Sequence, residues 1–202
     1  MPTDLRKISC LLDEPSECYR ESFLKGATEF FDERRLNSTY AESLGYDLRK
    51  LEKHFSAFVT DLRQLGQQSN SLISRNQDCV FWLIDHGEYV GQLSIRPNLD
   101  TPYLITYGSH VGYGIRPSLR RRGYGQIILS LALEKCRDMG LNRILITCDS
   151  DNLASKKIIE RNGGEFESAM NLDDQVLKAE GRQYKKTIQK LRYWIDLKST
   201  HR

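Results

Sequence analysis

Apolar positions in this chain change their period near residue 79. Before that point they recur every three to four residues. From Pro15 to Arg35, Tyr19, Phe23, Ala27, Phe30 and Phe31 make one stripe, and Pro15 sits where a first-turn proline belongs, so a helix is predicted. Residues 36–46 carry Asn, Ser and Gly and read as a loop. Leu48, Leu51, Phe55, Phe58, Val59, Leu62 and Leu65 predict a second helix from Asp47 to Gln67, with Asp47 as its cap. Residues 5–12 suit a short strand before both helices, and residues 66–78 a polar connection after them.

From residue 79 the pattern is mostly that of strands. "CVFWLID" (79–85) and "EYVGQLSIR" (88–96) flank "HG", a hairpin signal. A loop with Pro97, Asn98, Asp100 and Pro102 follows. "SHVGYGIR" (109–116) is a third strand, ended by Pro117 and containing two glycines, which read either as a bulge or as room for close approach. Ile127, Ile128, Leu131 and Cys136 share a helical face within 124–140, and Gly140 closes that helix. "RILITCD" (143–149) reads as a buried strand, and residues 151–164 as a helix closed by glycines. Two last strands, "EFESAM" and 184–197, surround a polar excursion at 171–183. The order predicts a single α/β domain over 1–202, with a mixed sheet flanked by helices.

Composition narrows this reading without redirecting it. With 202 residues, 39% hydrophobic and 28% charged, the chain is ordinarily globular. A net charge of +3 is too mild to point to nucleic acid. No apolar run approaches the length of about 20 residues that crosses a bilayer, and the first residues lack a signal-peptide core, so no membrane partner is expected. The five cysteines are scattered, none in a CxxC pair and none at metal-ligand spacing from a histidine. A reducing, cytoplasmic setting and no metal are therefore expected.

The basic charge is local. Residues 116–126 read "RPSLRRRGYGQ", with Arg120, Arg121 and Arg122 just before a glycine-flanked helix start. The first amides of a helix lack internal partners, and the helix dipole favours an anion there. Cations at that end are mildly unfavourable, by about 0.3–1 kcal/mol, unless a ligand compensates them. The stretch therefore favours a pyrophosphate over a bare surface cluster. It is neither a GxxxxGK[ST] loop nor a GxGxxG fingerprint.

"RRRGYG" matches the Q/R-x-x-G-x-G/A signature of the GNAT superfamily of N-acetyltransferases, which the chain resembles over residues 79–166. "NLAS" at 152–155 with the glycine pair 163–164 resembles that family's second cofactor motif, and "RYWI" (192–195) resembles a group of bacterial predicted acetyltransferases. The resemblance implies a mostly antiparallel sheet in which two parallel strands, 109–116 and 143–149, splay to admit acetyl-coenzyme A (acetyl-CoA). Residues 5–75 would form the acceptor side, 79–166 the cofactor core and 167–202 the closing strands.

On that resemblance, the pyrophosphate would take backbone amides at 121–126, that is Arg121, Arg122, Gly123, Tyr124, Gly125 and Gln126, with Arg120 and Arg122 as charge partners. Pantetheine would pair with Tyr113, Gly114 and Ile115. Asn152 would bond its amide or cap the helix at 153, and Ser155 belongs to the same motif. An oxyanion would be met by a backbone donor near Ile115. The base position, counted back from Pro117, holds His110, whose imidazole suits proton transfer; the alternative is a strand-edge histidine with a satisfied hydrogen bond. Tyr113 is a second catalytic candidate. Where relatives carry a tyrosine to protonate the leaving thiolate, this chain has Ile159, leaving Ser155, Cys148 or water. Cys148 has apolar flanks and reads better as a buried thiol.

The implied activity is direct acetyl transfer to a primary amine of a small molecule or peptide. The alternative is an acyl-CoA-binding sensor without turnover, which Ile159 and the missing glutamate favour. The long helices before residue 70 and the insert at 171–183 either shape the acceptor site or mediate homodimer formation.

Overall fold

A computed structural model describes residues 9–66, 78–173 and 188–198. The first strand, β1 (Cys10–Asp13), is followed by helix α1 (Arg20–Asp32), short turns, and helices α2 (Leu48–Lys53) and α3 (Phe55–Gln64). Strands β2 (Cys79–Asp85) and β3 (Glu88–Ile95) form the expected hairpin, with His86 and Gly87 both at positive φ in its turn. Helix α4 (Pro102–Thr106), strand β4 (Val111–Ile115), helix α5 (Tyr124–Asp138), strand β5 (Arg143–Asp149), helix α6 (Leu153–Arg161) and strands β6 (Glu165–Asn171) and β7 (Gln189–Asp196) complete the order.

Two readings are refined. The helix expected over 47–67 is two: Asp47 caps the first through Lys50 N–H, and the backbone ladder runs to His54 N–H and restarts from the His54 carbonyl. The loop after Arg96 contains α4, which the chain signals by Thr101 capping Leu104 N–H and Pro102 in the first turn. The start of the first strand, the 171–183 excursion from residue 174 on, and the predicted strand before residue 188 lie outside the described residues.

The sheet is split. β1-β2-β3-β4 form one antiparallel sheet and β5-β7-β6 another. β4 and β5, the pair expected to splay, make no ladder. The two sheets meet at the residue before β4, where His110 N–H donates to the Leu145 carbonyl (2.9 Å). A bulge in β3 opposite Leu83/Ile84 frees the Val90 carbonyl to accept Arg116 N–H (2.9 Å) where β4 ends.

The first sheet is covered on both faces. Phe23, Phe55 and Phe58 from α1 and α3 pack on Trp82 and Tyr89, with Phe23 stacked on Trp82 at 4.6 Å between ring centroids. On the other face Leu83, Leu93 and Ile95 pack against Ile127, Ile128 and Leu129 of α5, a core that continues through β5, α6 and β7. Along β4 the strand period sends Val111, Tyr113 and Ile115 into this second core, while Gly112 and Gly114 present bare backbone on the opposite face. No helix among the described residues is long and apolar enough to cross a membrane.

Candidate functional site

Two cavities meet at β4. The larger, 660 Å³, is lined from β4 by Tyr113, Gly114 and Ile115, from the following loop by Pro117 to Arg121, and from the starts of α5 and α6 by Tyr124, Gly125, Asn152, Ala154, Ser155 and Ile158. Most of the expected cofactor residues are therefore brought to one cleft. Arg122, Gly123 and Gln126 are not among its lining residues. Gln126 instead accepts a hydrogen bond from Asn162 Nδ2 (2.8 Å), and Gly123 supplies the left-handed turn (φ 91°) into α5.

The charges of the loop are distributed differently from the expectation. Arg120 is spoken for: its guanidinium forms a two-pronged pair with Glu33 (2.9 and 2.8 Å), and its Nε donates to the Ile115 carbonyl. Arg116 pairs with Glu29 at 2.7 Å, and Glu29 also accepts Ser118 N–H and Ser118 Oγ–H (both 2.9 Å). Burial alone would raise the Glu29 carboxyl, but Ser118 and Arg116 outweigh it and hold it below its usual value. Glu29 lies in the last turn of α1 and Glu33 is its C-terminal cap, so the end of that helix is fastened to the loop that leads into α5. Arg121, in the left-handed region (φ 59°), and Arg35 line the cleft and make no ion pair among the described residues. The sequence reading missed Arg35, because it lies far from the motif in the chain.

Asn152 does cap α6: its Oδ1 accepts Ser155 N–H (3.1 Å). The cap uses only the oxygen, and its NH₂ remains to donate into the cleft that it lines. Tyr113 packs against the second core, its hydroxyl buried without an aligned partner among the described residues. Burial pushes that phenol up to about 12, the nearby Ser155 side chain working the other way. Cys148 is buried, its thiol raised to about 11 chiefly by desolvation, which fits a packed thiol and not a nucleophile. Ile159 is buried in the second core.

His110 lines neither cavity. Besides its amide bond to Leu145, its carbonyl accepts Arg96 N–H (2.7 Å), and its ring Nδ1 accepts Leu145 N–H at 2.9 Å. Nδ1 also lies 3.4 Å from the Leu145 carbonyl. The shorter contact comes from a group that can only donate, and it fixes the neutral tautomer with the proton on Nε2. Burial lowers its pKa below the ordinary value. The ring lone pair expected to take a proton is therefore already engaged, and the residue ties β3 and β5 to the start of β4.

The second cavity, 410 Å³, opens on the bare face of β4 and shares Tyr113 and Gly114 with the first. Its wall holds a buried ion pair: Arg96 Nε lies 2.6 Å from Asp78 Oδ1 and Arg96 Nη2 2.9 Å from Oδ2. Tyr40 donates to Asp78 Oδ2 (2.5 Å) and receives Arg96 Nη2 (3.2 Å). Burial drives the Tyr40 phenol well above its usual range; Arg96, despite its own desolvation, is held charged by Tyr40 and Asp78. No group of three His, Cys, Asp or Glu side chains that could hold a metal occurs among the described residues.

Residues 34–165 match the family model described as an acetyltransferase (GNAT) domain. No curated protein matches the chain. Among solved structures, it is similar to the Salmonella typhimurium acetyl transferase that modifies the N-terminal serine of 50S ribosomal subunit protein L7/L12, at 17% identity, covering 93% of this chain and 95% of that one, with a TM-score of 0.59. The microcin C7 self-immunity acetyltransferase MccE in complex with acetyl-CoA and AMP is similar at 13% identity, 97% coverage of both chains and a TM-score of 0.60. A GNAT-family acetyltransferase from Bacillus anthracis is similar at 14% identity, 95% and 96% coverage and a TM-score of 0.60. At these identities the likeness is one of fold.

Proposed function

The chain belongs to the GNAT acetyltransferase family, and from that premise we propose that it moves an acetyl group from acetyl-CoA to a primary amine by direct attack through a tetrahedral intermediate. The observation that carries this reading is the meeting of two cavities at Tyr113 and Gly114, on a strand face without side chains. One cavity takes the cofactor and the other the acceptor, so that the thioester and the nitrogen meet over β4.

In the larger cleft the pyrophosphate sits over the amides at the start of α5, where the dipole favours it. Arg121 and Arg35 supply the cationic contacts, and Arg120 shapes the loop through Glu33. Pantetheine runs along Tyr113 to Ile115, with the Asn152 NH₂ and Ser155 at its side. The coenzyme thus supplies an activated acetyl group, and the chain supplies alignment and donors for the developing charge. His110 pins the strand, and the acceptor nitrogen attacks as the free base.

A second reading has one observation in its favour. The two acid–base positions that the family resemblance singles out hold an engaged imidazole, His110, and a buried Ile159, as expected of a domain that binds acyl-CoA without turnover. Calorimetry with acetyl-CoA combined with a thiol-release assay over a panel of amines separates the two. Binding with turnover supports the transferase; binding with no turnover on any amine supports the sensor; no binding refutes both. Arg35→Ala and Arg121→Ala should each weaken acetyl-CoA by about 3- to 30-fold, and unchanged affinity in both would remove the assignment of the cationic contacts.

A further inference from the structure

The smaller cavity is built from neutral hydrogen-bonding side chains around one charge pair that is already balanced. Ser38, Ser94 and Thr101 bring hydroxyls, Asn37 and Gln92 amides. Asp78 and Arg96 are the only ionisable carboxylate and cation among its described lining residues, and they face each other. Their side chains are 10% and 20% exposed.

Each member of that pair keeps unused hydrogen-bonding capacity. Asp78 Oδ1 is buried and takes no aligned hydrogen bond, although Arg96 Nε lies close to it. Among the described residues Arg96 Nη1 has only a long contact, 3.4 Å, to the Ser109 carbonyl, and it sits 3.8 Å from where a Cβ on Gly112 would be. Asp78 Oδ1 is turned into the pair and away from the cavity, so the wall offers a ligand the Arg96 Nη1 donor together with the hydroxyls of Ser38, Ser94 and Thr101, which can donate or accept. A hydroxyl satisfies both kinds of group. An added ammonium would be drawn to Asp78 but repelled by Arg96, and a carboxylate the reverse, and either would bring an uncompensated charge beside a pair that is already balanced.

Resting on the transferase reading, we propose that this cavity is the acceptor pocket and that it takes a small hydroxylated amine, of the amino-sugar or amino-alcohol class, whose body carries no second charge. Its volume lies within the span of about 300–1,000 Å³ typical of small-molecule sites. Gly112 and Gly114 leave the way to the thioester open.

The test measures thiol release from acetyl-CoA with glucosamine, spermidine and β-alanine, on the wild type, Asp78→Asn and Arg96→Gln. The wild type should favour glucosamine in kcat/KM by on the order of tenfold or more, as a site built to bond hydroxyls discriminates. Asp78→Asn leaves Arg96 unbalanced and should move preference toward β-alanine; Arg96→Gln should move it toward spermidine. A wild type that prefers a charged amine, or two variants whose preferences move in the same direction, overturns the proposal. Should either variant fail to fold, Ser94→Ala keeps the ion pair and should lower kcat/KM for glucosamine about 3- to 10-fold, with acetyl-CoA affinity unchanged by calorimetry; an unaltered kcat/KM overturns the proposal. Tight acetyl-CoA binding with none of the three amines acetylated refutes the acceptor class and leaves the cofactor assignment standing, whereas no acetyl-CoA binding removes both.

Discussion

An ideal Cβ placed on Gly125 would lie 2.5 Å from Ile158 Cδ1. That glycine lets the first turn of α5 touch the middle of α6, a packing role that the motif alone does not reveal. The obstructing atom is the tip of a side chain that can turn aside, so Gly125→Ala should lose no more than about 1 kcal/mol of stability, the low end of overpacking, and Ile158→Val, which removes that atom, should recover most of it; a thermal double-mutant cycle measures the coupling. His110 is a residue whose type was legible and whose task was not. The sequence marks it as an imidazole at a strand start, but its partner, Leu145, is 35 positions away. Removing the ring leaves the buried Leu145 N–H unpaired, so His110→Ala should cost about 1–3 kcal/mol and be read in denaturant unfolding. Because burial lowers its pKa, the unfolded chain takes up the proton first. This residue's share of stability is present above about pH 6.5 and fades as the pH falls below it. If His110 were the base, activity in a folded His110→Gln protein would vanish while stability stayed high, the reverse of the expected pattern.

Elements were more legible than the bonds between them. Helical stripes and strand alternation carry one period each, so α1, α5, α6 and the β2–β3 hairpin stand where the pattern puts them. The contacts that fasten the end of α1 to the loop before α5 join residues 87 to 89 positions apart, Glu29 with Arg116 and Ser118, Glu33 with Arg120, and no local pattern encodes such a distance. Arginines that look like phosphate ligands in the sequence are half consumed by this clamp. The clamp has a pH signature. Glu29 is held below its ordinary value of 4.5, so it contributes stability above that pH, and the contribution is lost as acid protonates it at lower pH. Melting temperatures from pH 6 to pH 3 should fall less steeply in Glu29→Gln than in the wild type, and the variant should be less stable at pH 6. Parallel curves would mean that the clamp does not hold in solution.

At the scale of the whole molecule, the two antiparallel sheets are halves that meet through His110, and the two cavities proposed for cofactor and acceptor are lined from β4, the strand at that junction. The order of elements made the halves legible. The splay between β4 and β5 was expected from the family resemblance; the His110–Leu145 bonds that pin its closed end were not, because they join residues 35 positions apart. Function on this reading depends on that gap staying bare at Gly114. A Cβ there would sit 3.9 Å from Phe30 and Ser38, ordinary contact distance, and β4 is extended, so β-branched residues suit its backbone. Gly114→Val should therefore fold with nearly the wild-type melting temperature. Its methyl groups, however, stand where the two cavities join, between thioester and amine. Misplacement of reacting atoms by about 1 Å costs on the order of a hundredfold, so acetyl transfer should drop at least that far in kcat. The proposed phosphate site lies at the other end of the cleft, so desulfo-coenzyme A should retain its affinity within a few-fold by calorimetry. A Gly114→Val protein that transfers acetyl groups at the wild-type rate would show that the two cavities do not exchange their contents across this strand.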